Sequence, residues 1–575
     1  MDNVEIARLL KETADLMEIS GEDAFRIRSY RNAASAIEGL GESIEAITRD
    51  PQRQLTALPG IGKGIAGAIE EIVARGSFAR RDEMLERYPP TALEMLRIQG
   101  LGPKSIRLLW EHFRVSTLEE LERLCREQKI RELPRMGAKL EEKILRGIQL
   151  YRQSAGRFLL NFAAHAAEEL CAALAAVEGV HRVTPAGSLR RGKETVGDLD
   201  LLVTGEGAEA ALAAFVNHPR VHDVLGHGPN KASARYGMEG LQVDVRAVPE
   251  ASFGAALQYF TGSKEHNVHL RQRAQRMGLT LNEYGLFRSG GGPLVAAASE
   301  EEIYAALGLA WIPPELRENQ GEIEAAESGA CPALLEPGMM RGDLHMHTRE
   351  SDGRGTFEEM AGAARLLGYE YIAITDHSKA LAMANGLDER RAVEFARQVR
   401  AFNSGQPGIR VFSGLECDIL RDGRMDLSEE ALAELDFVVA SVHSYMNLEP
   451  AEMTARLLRA MESPSVKVLG HPTGRVLLHR EAYRYDFDLV AREAGRRGVW
   501  MEINASPERL DLDAALIKRA RAHGVKFTIS TDAHHPKHLA NMRFGVMMAR
   551  RGGLGPEDVM NTRSAAAFAA LLARS

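Results

Sequence analysis

Seven apolar, strand-like runs in the C-terminal part of the chain each end in polar side chains of types that bind metals. Amphipathic helical stretches separate these runs, and this alternation is typical of a parallel α/β barrel. Because the carboxyl ends of parallel barrel strands meet at one face, we expect the polar side chains to converge although they lie far apart in sequence. The runs are GDLHMHT, YIAITDH, VFSGLECD, FVVASVHS, VKVLGHP, VWMEINA and KFTISTDAH.

Nine histidine and acidic side chains at these strand ends are candidate metal ligands. Imidazole and carboxylate groups without thiolate favour Mn²⁺, Zn²⁺ or Fe²⁺ over Mg²⁺ or Cu⁺. The set is large enough for up to three divalent ions, with Glu416 as a bridge between them. Single histidines elsewhere, such as His523 and His538, are interpreted as hydrogen-bonded core residues. The predicted ligands are His345, His347, Asp352, His377, Glu416, His443, His471, Asp532 and His534.

An Asp-x-Asp motif lies near the middle of the chain, in the run GSLRRGKETVGDLD at 187–200. On a strand, Asp198 and Asp200 project from the same face, and a neighbouring strand would place Asp244 of LQVDVRAV beside them. Three such carboxylates repel one another unless cations bind between them, and two Mg²⁺ ions serve in-line phosphoryl displacement. The candidate donors to a bound triphosphate are Gly187, Ser188 and Arg191.

The first third of the chain has apolar residues at helical spacing, and two Gly-x-Gly turns interrupt it. The turns, LPGIG at 58–62 and IQGLG at 98–102, predict helix-hairpin-helix elements, and LPRMG at 133–137 is a third candidate that lacks the first glycine. Glycine permits close approach of the backbone, so amide N–H groups can contact a DNA phosphate whatever the base sequence. The predicted DNA-binding residues are Gly60, Gly62, Gly100 and Gly102.

Together these motifs resemble the family X DNA polymerases over about residues 1–317. The resemblance implies that Asp198 and Asp200 bind two Mg²⁺ or Mn²⁺ ions, and that Asp244 binds the catalytic ion and helps to deprotonate the primer 3′-hydroxyl. It also implies a sugar-sensing turn at YFTGS (259–263) and contacts to the nascent base pair and the template. The residues that carry these contacts are Tyr259, Phe260, Gly262, Asn267 and Arg271.

The sequence departs from the family X pattern at one position. The family's 5′-deoxyribose phosphate lyase uses a Schiff-base lysine on the helix after the first hairpin turn, and the matching residue here is Ala68. A methyl group cannot replace an amine nucleophile. We therefore do not expect efficient lyase activity by that route.

Residues 340–575 are similar to the polymerase and histidinol phosphatase (PHP) family, which implies hydrolysis of phosphate esters by a metal-activated water. Lys379 and Arg475 are candidate phosphate partners. The whole order of modules resembles bacterial and archaeal family X polymerases, which implies gap filling in base excision repair and a Mn²⁺-dependent 3′→5′ exonuclease. Two alternatives stay open: the barrel hydrolyses a small phosphate monoester, or the protein is mainly a DNA-end-binding scaffold.

With 575 residues the chain exceeds what one hydrophobic core organises, and we expect a multidomain α-helical, α+β and α/β protein. The resemblance implies an α+β nucleotidyltransferase domain, the palm, in the middle of the chain and a distorted, TIM-like (β/α)7 barrel at its C-terminal end. The predicted domains are a helical DNA-binding domain (1–85), a second helix-hairpin-helix domain (86–155), the palm (156–250), a nucleotide-selecting subdomain (251–317), a linker (318–339) and the PHP domain (340–575).

Composition excludes several other classes of protein. Four dispersed cysteines exclude a C-x-x-C zinc site and a disulfide framework. The chain has no signal-peptide pattern and no apolar run of membrane-spanning length, so we expect a cytoplasmic protein without membrane contact. The net charge of −8 does not decide whether nucleic acid binds. The expected partners are gapped or primer-template DNA, dNTPs and repair proteins, and nothing demands more than a monomer.

Overall fold

A computed structural model describes residues 3–573, apart from 40–42, 51, 59, 99, 135, 155 and 406–407. Pro59, Gln99 and Arg135 of the predicted hairpin turns therefore lie outside the described residues. The chain forms two compact units: the first is Met1–Ala155 with Leu478–Arg480, and the second is Gly156–Leu477 with Glu481–Ser575. Across the described ranges, no helix has both the length and the apolar character needed to cross a membrane.

The first unit is helical throughout its described part, as the spacing of its apolar residues predicts. In α8, for example, Leu118, Leu121 and Leu124 are buried at helical spacing, and the Thr117 side chain caps the helix by accepting from the Glu120 N–H. The helices are α1 (Asn3–Ser20), α2 (Ala24–Gly39), α3 (Ile44–Arg49), α4 (Lys63–Arg75), α5 (Ala79–Arg87), α6 (Thr91–Met95), α7 (Pro103–Phe113), α8 (Leu118–Arg126) and α9 (Ala138–Ser154).

The second unit begins with a mixed five-stranded sheet of order β2-β4-β7-β6-β5, in which only β4 and β7 are parallel. Its elements, with a separate β1–β3 pair, are β1 (Phe158–Leu159), α10 (Leu160–Ala175), β2 (Arg182–Pro185), α11 (Gly187–Arg190), β3 (Thr195–Val196), β4 (Asp198–Thr204), α12 (Ala208–Val216), β5 (Val221–His227), β6 (Lys231–Tyr236) and β7 (Leu241–Ala247). The sequence analysis did not predict the β5–β6 hairpin. Strand β5 is an exposed edge strand, so it lacks the buried alternation that marks a strand in sequence.

A smaller helical and three-stranded region follows the sheet, with strand order β10-β9-β8. Its helix α16 lies inside the segment predicted as a linker. This helix buries Ile323 and Ala326, and the Glu322 carboxylate lies 2.6 Å from His266 Nδ1. The segment is thus folded onto the preceding region. The elements are α13 (Phe253–Thr261), α14 (Lys264–Arg276), β8 (Leu279–Asn282), β9 (Gly285–Arg288), β10 (Leu294–Ala296), α15 (Glu300–Ala306) and α16 (Glu322–Ser328).

The C-terminal part is a seven-stranded parallel barrel whose strands follow one another in sequence order, as the seven strand-like runs predict. The first and last strands meet through a parallel bridge between Met346 and Ala533. Its elements are β11 (Gly342–Asp343), α17 (Phe357–Leu366), β12 (Tyr371–Ile374), α18 (Glu389–Ser404), β13 (Arg410–Asp418), α19 (Glu429–Leu432), β14 (Phe437–Ser441), α20 (Pro450–Ala460), β15 (Val466–Leu469), α21 (Phe487–Arg497), β16 (Trp500–Asn504), α22 (Ala514–Ala522), β17 (Phe527–Ser530), α23 (Met542–Arg551) and α24 (Ala565–Leu572).

Buried side chains close the seam between the first and last barrel strands. The Asp343 carboxylate accepts from the Thr531 N–H at 3.1 Å, while Asn561 Nδ2 donates to the carbonyls of Gly342 and Ile529. These hydrogen bonds satisfy strand-edge groups that would otherwise be buried without partners.

Short 3-10 helices lie at Leu55–Ala57, Ile130–Glu132, Glu250–Ser252, Pro314–Leu316, Pro337–Met339, Ala382–Ala384, Pro536–Asn541 and Met560–Thr562.

Candidate active sites

Three carboxylates lie side by side on the parallel strand pair β4–β7. Asp198 and Asp200 occupy alternate positions of β4 and so share a face, and Asp200 is in direct register with Asp244 on β7. The structure therefore brings together the three acids that the sequence analysis grouped. Asp244 is 6% exposed, whereas Asp198 is open to solvent.

The electrostatics of this patch fit a divalent cation. Burial and the negative charge of Asp198 raise the pKa of Asp200 to about 6. Against the opposing effect of burial, hydrogen bonds from Lys231 and Ser233 lower the pKa of Asp244. The Lys231 Nζ lies 2.7 Å from Asp244 Oδ2. The other oxygen, Oδ1, is buried and has no hydrogen-bond partner among the described residues, so it is available as a metal ligand.

A cleft of about 340 Å³ opens beside the carboxylates. Gly187 begins the short helix α11 at its edge with φ +61°, and a Cβ there would lie 2.8 Å from Asp200 Oδ2. Glycine is therefore required at this position. All eight predicted nucleotide-binding residues line the cleft, together with two of the acids: Gly187, Ser188, Arg191, Asp198, Asp200, Tyr259, Phe260, Gly262, Asn267 and Arg271.

Arg191 is held on two sides within the cleft wall. Its Nη1 donates to the Thr261 carbonyl, and its Nε donates to Glu318 Oε1 at 3.1 Å. The neighbouring Gly262 has φ +70°, in the region that favours glycine, and a Cβ there would approach Arg191 Nη1 to 3.1 Å. The turn at 259–263 is thus fixed against Arg191.

Asn267 braces the same turn from helix α14. Its Nδ2 donates to the Tyr259 carbonyl at 2.7 Å, while its Oδ1 accepts from Gln258 Nε2 at 2.7 Å. The Arg271 guanidinium, one helical turn further on, donates from Nε to the Asn267 carbonyl at 3.3 Å. The side chains expected to contact the base pair and the template therefore sit on one ordered helix face.

All nine predicted metal ligands converge at the carboxyl end of the barrel. Their ligand atoms form three groups in which every atom lies within 4.8 Å of the others. These groups are His347–Asp352–His377–His534, His345–His347–Asp532 and His377–Glu416–His443. The ninth residue, His471, joins the cluster through Nε2, which lies 2.8 Å from Glu416 Oε1. The cluster therefore forms because the strand ends meet, and no short stretch of the sequence contains all of its ligands.

Glu416 lies at the centre of the cluster. Its Oε2 is 2.9 Å from His377 Nδ1 and 3.4 Å from His345 Nε2, and its Oε1 is 3.2 Å from His443 Nε2. Burial raises the pKa of Glu416, but the surrounding histidines lower it far more, so the carboxylate stays ionised. A central anion among imidazoles matches the bridging position expected from the sequence.

Two buried acids that the sequence analysis missed orient the histidines. The Glu502 Oε1 lies 2.7 Å from His345 Nδ1, and Asp418 Oδ1 lies 2.8 Å from His443 Nδ1. A carboxylate on one ring nitrogen leaves the other nitrogen free to bind a metal. Both acids lie inside the strand-like runs, so an acid amid apolar strand residues was the available signal.

The histidine nitrogens that face the cluster also fit a metal. His345 Nε2 and His347 Nδ1 are buried and have no hydrogen-bond partner among the described residues. Burial lowers the pKa of His345, but Glu502, Glu416 and Asp532 outweigh it and raise that pKa well above its usual value. Around His345 the carboxylates therefore favour a cation, whereas burial, His534 and His377 lower the pKa of His347 to about 3.

Backbone strain occurs at two of the predicted ligands. His471 has φ +26° and Asp532 has φ +52°, and neither is glycine. Such conformations cost about 1–3 kcal/mol each and persist where the surrounding structure enforces them, often at functional sites. Each residue is the second after the end of a barrel strand, His471 after β15 and Asp532 after β17.

The predicted phosphate partners of the barrel are engaged elsewhere. Lys379 Nζ pairs with Glu389 at 2.5 Å, and Arg475 Nε donates to the Arg509 carbonyl at 3.0 Å. Arg509 itself, which the sequence analysis missed, lies closer to the cluster. Its Nε is 3.5 Å from Asp532 Oδ2, and its Nη1 has no hydrogen-bond partner within the described part of the chain.

In the helical unit, the predicted DNA-binding glycines lie at the N-termini of two helices. Gly60 has φ +81° and Gly100 has φ +104°, whereas Gly62 and Gly102 are the N-caps of α4 and α7. Within the described residues no side chain caps either helix, and a Cβ on Gly62 or Gly102 would meet open space. The first N–H groups of both helices are thus accessible to an anion.

Ala68, at the position of the family's lyase lysine, is 6% exposed on α4 and packs in the core of the helical unit. The substitution therefore removes the amine and also fills its place with a core methyl group. Ala68 therefore offers no nucleophile that could form a Schiff base with a DNA end.

Comparison with known proteins identifies the modules. The helix-hairpin-helix domain family matches residues 1–78, and the SAM-like helix-hairpin-helix tandem matches 92–149. The DNA polymerase beta thumb matches 256–318, and the PHP domain matches 343–506. With the acidic β4–β7 pair and the histidine cluster, this order defines a class: polymerases built like DNA polymerase beta and joined to a PHP barrel.

A relative that aligns along the whole chain narrows this class further. The DNA polymerase/3′-5′ exonuclease PolX of Bacillus subtilis (strain 168) is 36% identical over all of both chains. The chain belongs to this PolX family, the family X DNA polymerases that carry a PHP domain, and the family uses divalent metals and a DNA substrate. DNA polymerase lambda of Rattus norvegicus is 24% identical over 55% of this chain and 56% of its own length.

A third relative matches the barrel alone. A protein named "Probable phosphatase" from Syntrophotalea carbinolica is 27% identical over 38% of this chain and 90% of its own length. The barrel thus also has relatives that exist without a polymerase.

Proposed function

We propose that this protein is a DNA-directed DNA polymerase that fills short gaps in base excision repair, with a Mn²⁺-dependent 3′→5′ exonuclease in its PHP barrel. The register of Asp200 with Asp244, beside a cleft lined by every predicted nucleotide-binding residue, carries the polymerase assignment. The convergence of eight predicted ligands into three close groups, with the ninth, His471, beside Glu416, supports the exonuclease. Each site has its own acids, so the two reactions are separable.

In the polymerase site, Asp198, Asp200 and Asp244 would hold two Mg²⁺ or Mn²⁺ ions, and such ions would supply neutralisation of the developing charge and a lower pKa for the primer 3′-hydroxyl. Asp244 orients that hydroxyl and helps to remove its proton. The hydroxyl oxygen then bonds to the α-phosphorus, and pyrophosphate leaves. Arg191 and the first N–H groups of α11 bind the triphosphate, while the turn at 259–263 excludes a ribose 2′-hydroxyl by bulk.

In the barrel, the three groups of ligands would hold up to three divalent ions, Mn²⁺, Zn²⁺ or Fe²⁺, which would supply an activated water. The water oxygen bonds to the terminal phosphorus, and the penultimate 3′-oxygen leaves with a proton. Glu502 and Asp418 keep the histidine tautomers that bind metal. Arg509, beside Asp532, is better placed than Arg475 to pair with a phosphate oxygen.

The remaining assignments follow from these two sites. Gly60, Gly62, Gly100 and Gly102 bind the DNA backbone, and the domain bounds are those predicted from the sequence, except that the segment 318–339 packs on the preceding region through α16 instead of forming a free linker. The protein acts as a monomer in the cytoplasm on gapped or primer-template DNA and dNTPs. Repair proteins are its further partners.

Incorporation into a one-nucleotide gap tests the polymerase assignment. The wild type with Mg²⁺ should add the nucleotide that the template specifies, and Asp244→Asn should abolish this addition without loss of DNA binding. Asp223→Asn, on the exposed edge strand β5, is the matched control and should retain addition. Normal extension by Asp244→Asn would reject the assignment and restore the DNA-end scaffold as the better hypothesis.

A small phosphate monoester is the second candidate substrate of the barrel, because the phosphatase-named relative matches that domain alone. Parallel assays with p-nitrophenyl phosphate and with 3′-labelled single-stranded DNA distinguish the two. We expect release of nucleoside monophosphates from the DNA at a far higher rate. Rapid hydrolysis of the small ester with intact DNA would favour the monoesterase instead.

A further inference from the structure

A buried arginine of the barrel reaches the wall of the nucleotide cleft. Arg551 ends helix α23 and is 5% exposed. Its Nη1 donates to the Arg191 carbonyl at 2.8 Å and lies 3.2 Å from Glu318 Oε1. Because Arg191 lines the cleft, one barrel side chain lies directly behind the predicted triphosphate site.

Glu318 is shared between the two arginines. The same oxygen, Oε1, accepts from Arg191 Nε at 3.1 Å and from Arg551 Nη1 at 3.2 Å. Burial raises the pKa of Glu318, but Arg191, Lys193 and Arg551 outweigh it and lower that pKa. An ionised carboxylate therefore lies beside a site for a polyanion, and Arg191, Lys193 and Arg551 offset its charge.

The backbone of the same turn packs on helix α23. Gly192 has φ +64°, and a Cβ there would lie 3.3 Å from Met547 Cβ and 3.6 Å from Arg551 Cδ. The turn then closes with the Lys193 N–H donating to the Ser188 carbonyl at 3.0 Å. The geometry of the turn therefore depends on a surface that the barrel provides.

We propose that Arg551 is a positioning residue for nucleotide binding by the polymerase, an inference that rests on the proposed polymerase function. It holds the Arg191 backbone and neutralises Glu318, so that the Arg191 guanidinium and α11 meet the triphosphate. Without Arg551, Glu318 keeps its charge, draws Arg191 more strongly and repels the incoming dNTP. The barrel thereby becomes part of the polymerase site independently of its own metal cluster.

Other polar contacts join the barrel to the polymerase region without touching the cleft. Arg543, on the same helix α23, pairs with Glu168, and its side chain is 40% exposed. Arg543→Ala therefore removes a more exposed contact between the same two regions, and it serves as the control for loss of an arginine from this helix away from the cleft.

Single-nucleotide insertion by the full-length protein on gapped DNA tests the proposal. Arg551→Ala should raise KM for the dNTP about tenfold, the effect of one lost charge-assisted hydrogen bond, with a smaller change in kcat. Arg543→Ala should leave KM unchanged, and both variants should keep the exonuclease activity on single-stranded DNA. If Arg551→Ala lowers the unfolding temperature, Arg551→Met, which keeps the side-chain length, replaces it.

A second substitution separates charge compensation from simple packing. Glu318→Gln in the Arg551→Ala background removes the uncompensated charge, so KM should return towards the wild-type value. An unchanged KM in Arg551→Ala overturns the proposal, and so does a raised KM that Glu318→Gln fails to lower. If the wild type itself does not extend primers, the polymerase function fails together with this inference.

Discussion

Replacing Glu502 by glutamine should disable the barrel metal cluster without changing its shape. Glu502 Oε1 is 2.7 Å from His345 Nδ1, while Oε2 accepts from the His471 N–H at 2.7 Å and from Asn504 Nδ2 at 3.1 Å. A glutamine amide nitrogen in place of Oε2 would face two donors. The amide nitrogen should therefore turn towards His345 and donate to Nδ1, which must then be unprotonated.

The tautomer change moves the His345 proton to Nε2, the nitrogen that faces the cluster, and this nitrogen can then no longer bind a metal. Loss of such a carboxylate partner typically costs about 10–100-fold in metal affinity or activity, or about 1.4–2.7 kcal/mol. Metal content measured by mass spectrometry and exonuclease rate on 3′-labelled DNA should both fall, while gap filling stays normal. Unchanged metal content and exonuclease rate would refute the reasoning.

Three further outcomes follow from buried or special positions. Glu300→Gln should destabilise the protein by about 3–5 kcal/mol because it leaves Arg317, which is 0% exposed, without its anion. The pKa of Glu300 is lowered from 4.5 to about 2, so thermal unfolding should show this difference above pH 4.5 and lose it as the pH falls towards 2. Gly62→Val and Gly102→Val place a bulky side chain where a phosphate would lie. Gel shifts should therefore show DNA binding about tenfold weaker, with an unchanged unfolding temperature. Normal binding would mean that these helix termini do not contact DNA. Borohydride should trap no covalent adduct with an abasic DNA end, because Ala68 is a buried methyl group, and a trapped adduct would reveal a different lysine.

Strand-end chemistry made the barrel site predictable from the sequence. Each ligand follows a recognisable apolar run, and parallel topology alone brings such ends together, so His345 and Asp532 could be grouped although 187 residues separate them. The pairing of Asp200 with Asp244 was predictable for the same reason, since both acids interrupt strand-like patterns.

Features that depend on tertiary packing escaped the sequence analysis. The exposed strand β5 has no buried face to impose alternation, and the helix α16 in the supposed linker is only seven residues long. The contact between Arg551 and Glu318 joins residues 233 apart, and neither lies in a motif. Arg475 was predicted as a phosphate partner, but its guanidinium donates to the backbone carbonyls of Arg509 and Leu510.

Primer extension and primer shortening should depend on two separate metal sites, and one gel tests this separation. A 5′-labelled primer on one-nucleotide-gapped DNA with Mn²⁺ is incubated with and without dNTPs, using the wild type, Asp200→Ala and His345→Ala. Asp200→Ala should shorten the primer but not extend it, and His345→Ala should extend it but not shorten it. Shortening by His345→Ala, or extension by Asp200→Ala, would contradict the account.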